Sequence, residues 1–181
     1  VKAVLSVLGQ DRPGIVAKIS SLLAALECNI EDISQTILQG EFAAIFIFSL
    51  QDIKWDNIVN ILKKELSQDG LTVKIKELAK PCFWTNKKTE QFIITAIGSD
   101  RVGQIAKLTQ IIADFNCNIF NLKASYKSDT YPDKIVMFYE IEIPENISLK
   151  KLKESLIEAG KSLGLEIILQ HKNIFENIHR I

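Results

Sequence analysis

Residues 9–30 read GQDRPGIVAKISSLLAALECNI, and residues 98–119 read GSDRVGQIAKLTQIIADFNCNI. Gly, Asp, Arg, Gly, Ala, Lys, Cys, Asn and Ile recur in matching places at one offset (98 − 9 = 89 residues). A fixed offset with motif order kept is the mark of an internal duplication. Two copies are too few for a solenoid, so each must be nearly a domain by itself. The chain of 181 residues then divides into two units near the lower size at which a core can be buried alone.

Within the first copy, AVLSVLG reads as a strand and GQDRPG as a turn with Pro13 near the first helical position. Ile15, Ile19, Leu22 and Leu26 follow at helical spacing beside Val16 and Leu23, and Asn29 is expected to end that helix. NIEDISQTIL and EFAAIFIFSL read as strands joined across Gln39-Gly40. Trp55, Ile58, Val59, Leu62 and Leu66 mark a second helix stopped by Asp69-Gly70, and LTVKIKEL alternates as a last strand. The second copy repeats this order. QFIITAIG is a strand, and Ile105, Leu108, Ile112 and Phe115 mark a helix. NIFNLKASYKS and KIVMFYEIEI form a hairpin across DTYPD. Leu149, Leu152, Leu156 and Leu163 mark a helix capped by Ser148, and LEIILQH closes the copy. Two βαββαβ units predict an α+β fold of two ferredoxin-like domains. Each is an antiparallel four-stranded sheet with two helices on one face. The other face must be solvated or covered by a partner.

The expected boundaries are 1–80 for the first domain, 81–90 for a linker, 91–171 for the second domain and 172–181 for a tail. Phe83 and Trp84 in the linker are expected to dock on one of the domains. In the tail, Ile174, Ile178 and Ile181 share a helical stripe that packs against its own domain or contacts a partner.

Charge and motif content narrow the function. Lys and Arg together number 22, and so do Asp and Glu, which leaves a net charge of zero. No single-sign field draws such a chain to nucleic acid. No segment approaches the ~20 apolar residues of a membrane span. The N-terminal stretch, which begins at Val1 rather than Met, lacks a signal-peptide pattern; a cytoplasmic protein is expected. Three cysteines without C-x-x-C spacing argue against a disulfide framework or a zinc site. Cys28 and Cys117 read as buried small hydrophobes, and Cys82 stands alone in the linker. No H-E-x-x-H, P-loop or G-x-S-x-G occurs, and His171 and His179, near the C-terminus, are not expected to serve as metal ligand or general base. No metal, cofactor or catalytic residue is expected.

The repeated strand-to-helix turn admits two readings. A helix N-terminus offers unpaired N–H groups and partial positive charge to an anion. Gly14 permits close approach, and Asp11 suits an ammonium group, so a free α-amino acid would fit. Equally, Asp before a helix, Pro in its first turn and Gly beside them are ordinary capping residues. Arg12 and Arg101 read as solvated.

The string G-x-D-R-P-G-I-V-A-x-I-S-x-L-L, with Asn29-Ile30 after it and a βαββαβ order, resembles the ACT domain, a regulatory module that binds amino acids. The resemblance covers almost the whole chain as two tandem copies. It is weaker in the second, where Val102 and Gln104 replace the Pro and Ile of the motif. Among proteins made of little but two such copies, the chain is most similar to the glycine cleavage system transcriptional repressor family. The resemblance implies amino-acid sites between paired ACT domains, formed by the first loop and the start of the second strand. Carried over, the candidates are Asp11, Arg12, Pro13, Gly14, Ile15, Asn29 and Ile30, with Asp100, Arg101, Val102, Gly103, Gln104, Asn118 and Ile119 as their counterparts. The DRPG loop is expected to be the better site.

By the same resemblance the chain is expected to be a non-catalytic, amino-acid-responsive regulator, with glycine or serine as ligand, a homodimeric state, and indirect control of transcription through a partner protein. A detached regulatory subunit of a metabolic enzyme and a ligand-independent adaptor stand as alternatives. Relatives carry ACT copies on catalytic domains, but here the two copies and the linker account for the chain.

Overall fold

The computed structural model describes residues 1–51, 55–78, 88–126 and 133–178. The chain divides into two compact units, Val1–Cys82 and Phe83–Ile181. The expected docking of Phe83 and Trp84, Cys82, residues 129–132 of the second hairpin turn, and the tail positions His179 and Ile181 lie outside the described residues, as does the side chain of Ile178.

The first unit runs β1 (Lys2–Gln10), α1 (Ile15–Ala25), β2 (Asn29–Leu38), β3 (Glu41–Ser49), α2 (Trp55–Gln68) and β4 (Thr72–Glu77). The second runs β5 (Thr89–Gly98), α3 (Gln104–Asp114), β6 (Asn118–Tyr126), β7 (Ile135–Pro144), α4 (Leu149–Leu163) and β8 (Leu165–His171), followed by α5 (Lys172–Ile178). Strand orders are β2-β3-β1-β4 and β6-β7-β5-β8, antiparallel throughout. Both units are therefore ferredoxin-like βαββαβ folds, as the sequence predicts. β5 begins two residues before the expected Gln91.

Alternation explains the cores. Ala3, Leu5 and Val7 of β1 and Phe42, Phe46 and Phe48 of β3 point one way and are buried against Ile15, Ile19 and Leu23 of α1 and Ile58, Leu62 and Leu66 of α2. Each buried Val, Leu, Ile and Phe among them stabilises the fold by roughly 1.5–3 kcal/mol. In the second unit, Ile94, Met137, Tyr139 and Ile141 meet Leu108, Ile112, Leu152 and Leu156 in the same way. The two-residue hairpin at Gln39-Gly40 has φ of 50° and 85°, the paired positive values of a type I′ turn.

The helix ends correct the sequence reading. α1 stops at Ala25, and Asn29 opens β2 instead of ending the helix. Glu27 takes a left-handed φ of 58°, with its N–H donating to Ala24 O and the Cys28 N–H to Leu23 O. This is a Schellman motif. Asn116 (φ 52°) and Cys117 repeat it with Ala113 O and Ile112 O. Cys28 and Cys117 are thus the residues that pack back under the helix end, and both are buried at 7% exposure. Burial pushes the Cys117 thiol up to about 11.

Both second strands carry a β-bulge at the same place, between Ile30 and Asp32 and between Ile119 and Asn121. The bulged residues are re-aimed. Glu31 pairs with Lys2 at 2.5 Å, which lowers its carboxyl below the usual range. Phe120 lies 5.7 Å beneath the Lys172 ammonium. α5 packs against its own unit, with Phe175 edge-on to Phe138 at 6.3 Å on the sheet face opposite α3 and α4. The docking residue is Phe175 rather than the expected Ile174, which is 54% exposed.

Candidate functional site

The β1–α1 connection is pinned at both sides. Asp11 N–H donates to Gly40 O at 2.8 Å, and the Arg12 guanidinium donates to Asp69 O at 2.7 Å. Lys18 forms an ion pair with the Asp69 carboxylate. Arg12 is therefore a strut between the loop and the α2–β4 turn, not a freely solvated side chain. The Arg101 guanidinium lies over the equivalent turn of the second unit: a Cβ on Gly164 would stand 3.3 Å from its Cζ.

Gly14, not Pro13 or Asp11, caps α1. Its φ of 94° is left-handed, and no side chain accepts from the first turn. Pro13 sits one residue before the cap rather than at the first helical position. The first intrahelical bond is Lys18 N–H to Gly14 O at 2.9 Å, so the N–H groups of Ile15, Val16 and Ala17 have no acceptor within the helix. The capping role that Asp11 could have played is not taken up.

An open depression of about 240 Å³ lies at this helix start, lined by Asp11, Arg12, Gly14, Ile15, Val16, Ala17, Gln35, Ile37 and Phe42. Four of the sequence candidates are brought together there. Ile15 contributes from a core position with 4% exposure. Gln35 and Ile37 come from β2, and sequence reasoning missed them. The available signal was Gln35 itself, a polar residue in the row that otherwise holds Ile30, Ile33 and Ile37 on the helix side of β2.

Asn29 and Ile30 are not at this depression. The registers pair Asn29 and Lys2 with Ser49, and Leu38 and Gln10 with Glu41. The start of β2 is thus at the opposite end of the sheet from the loop, about 25 Å away at ~3.3 Å per residue. Ile30 packs against the core. Asn118 and Ile119 are placed equivalently; Asn118 Nδ2 donates to Glu142 at 3.4 Å, and Ile119 joins the second core.

The second loop is built differently. Gly103 repeats the left-handed cap with φ 91°, and Val102 is fully exposed at the loop apex. Gln104 is 2% exposed. Its Oε1 accepts from Arg101 N–H at 3.1 Å, while Nε2 donates to Ser99 O at 2.8 Å and Leu163 O at 3.1 Å. Asp100 stays exposed beside it. His171 has a structural setting: Nδ1 accepts from Asn173 N–H at 3.2 Å, and its ring meets Phe92 at 5.1 Å.

These features define a tandem pair of ferredoxin-like units with an uncapped helix start at the first turn. The ACT domain family profile matches residues 2–76 and 90–170, and the chain belongs to that family. It is 37% identical over 94 residues to a UPF0237 protein of Methanosarcina acetivorans, spanning 51% of this chain and 98% of that relative. A UPF0237 protein of Pyrobaculum aerophilum is 48% identical over 68 residues, 38% of this chain and 73% of its own. Among solved structures, a protein of unknown function from Galdieria sulphuraria superposes with a TM-score of 0.78 at 23% identity, over 94% of this chain and 97% of its own. A proposed glycine cleavage system transcriptional repressor superposes with a TM-score of 0.69 at 20% identity, over 93% and 95%. Both show the shared two-unit fold.

Proposed function

We propose that the protein is a non-catalytic regulator that binds a small α-amino acid at the β1–α1 loop. The observation that carries this reading is the uncapped start of α1 opening on the 240 Å³ depression. The ligand carboxylate would accept from the N–H groups of Val16 and Ala17, where the helix dipole contributes ~0.3–1 kcal/mol when exposed. The Asp11 carboxylate would take the ammonium group. Glycine, and serine after it, are the amino acids proposed, on the likeness to the glycine cleavage system repressor. Membership of the ACT family supports amino-acid binding as the class of function.

In this reading the start of β2 contributes only through pairing. Asn29 lies a sheet length from its own loop, so Asn29 and Asp11 could hold one ligand only if they come from different units. A homodimer in which the first units pair head to tail would supply that. A ligand bridging two copies favours that arrangement by its differential affinity, and a partner protein would read the result. Control of transcription would then be indirect, since a net charge of zero supplies no general attraction to DNA phosphates. The setting is the cytoplasm. The test is calorimetric titration of the whole chain with each of the twenty amino acids. A saturable response at about −8 to −4 kcal/mol, lost in Asp11→Ala, is expected. Silence from a folded protein would leave the adaptor reading in its place.

A further inference from the structure

Gln104 is the one buried polar residue among the described residues, and it stands at the position that Ile15 holds in the first unit. Its three hydrogen bonds join the residue before the loop (Ser99 O), the loop (Arg101 N–H) and the end of α4 (Leu163 O). A buried amide is tolerated because these groups are satisfied. The corresponding backbone in the first unit has no such link, because Ile15 is apolar and buried in the core. There the links to the α2–β4 turn are made by the exposed side chains of Arg12 and Lys18, both to Asp69.

We infer that Gln104 is a built-in latch that holds the β5–α3 loop closed without ligand, so that amino-acid response is confined to the first loop. This rests on the amino-acid reading above for its ligand arm, but the latch itself does not. The duplicated units then divide their work. Both helix starts lack a side-chain cap, but in the first no buried side chain of the helix is tied to the loop backbone. The second spends its loop groups on its own side chain and supplies a fixed reference. Gln104 acts here as a positioning residue.

Residue-resolved amide exchange on the whole chain tests this. In Gln104→Met, Arg101 N–H should exchange at least tenfold faster while Ile94, Met137 and Tyr139 keep their rates. An unchanged Arg101 rate, or equal acceleration across all of the second unit, would overturn the latch. The reciprocal Ile15→Gln should slow Arg12 N–H exchange at least tenfold; no slowing in the folded variant would also overturn it. With 10 mM glycine and then serine, the wild type should gain protection over residues 11–17 and not over 100–106. Protection at both loops would refute the division of work. Protection at neither would refute the amino-acid reading while the Arg101 result still decides the latch.

Discussion

Gly14→Ala isolates the reason that glycine recurs in both loops. A Cβ at Gly14 would meet nothing within 4 Å, so no clash contributes. The cost is the left-handed backbone, φ 94°, which an L-residue adopts at ~1–2 kcal/mol. Opening of the first unit should therefore become about 5- to 30-fold easier. Amide exchange of the core residues Leu5, Val7 and Phe46 in the full chain reads that opening directly. Gly14→Asn should lose less than Gly14→Ala, because Asn visits the left-handed region more readily. The second unit should be untouched by either change. Exchange within twofold of wild type in Gly14→Ala, or Asn no better than Ala, would refute the conformational argument.

Gly98→Ala should be far worse: its Cβ would stand 2.1 Å from Gly164 O, and loss of the second unit's cooperative unfolding in a calorimetric scan is expected. Alkaline titration should separate the units. Tyr139 is fully buried, and its burial raises the hydroxyl to about 12. A raised acid stabilises the fold below the unfolded value of ~10 and loses that contribution as pH rises through the folded value, about 3 kcal/mol in all. Tyr139→Phe should remove that part of the pH dependence between about 10 and 12 in urea unfolding. Phe175→Ala should release α5 and speed exchange in β8 without altering β1 or β3.

Much of the fold was legible because period-2 and period-3.6 patterns alternate twice at one offset. Gln39-Gly40 was readable as a hairpin because a positive φ favours Gly. The Schellman ends were not, since nothing in Glu27 announces a left-handed residue; only packing of Cys28 onto Leu23 requires it. The contacts of Arg12 and Gln104 were not legible for one reason. Their partners, Asp69 O and Leu163 O, are backbone atoms brought close by the last helix-to-strand turn. The loop candidates Asp11, Gly14 and Ile15 sit together because they are contiguous, whereas the distance of Asn29 arises from strand direction, which no local motif encodes.

The central claim is best tested by following the backbone amides of the labelled protein by NMR during titration with glycine and then serine. The account predicts saturable shifts concentrated at Ile15, Val16 and Ala17, with Gln35 beside them, and an absence of response at residues 104–106. Shifts confined to the second loop, or none at any amide of the first, would contradict it.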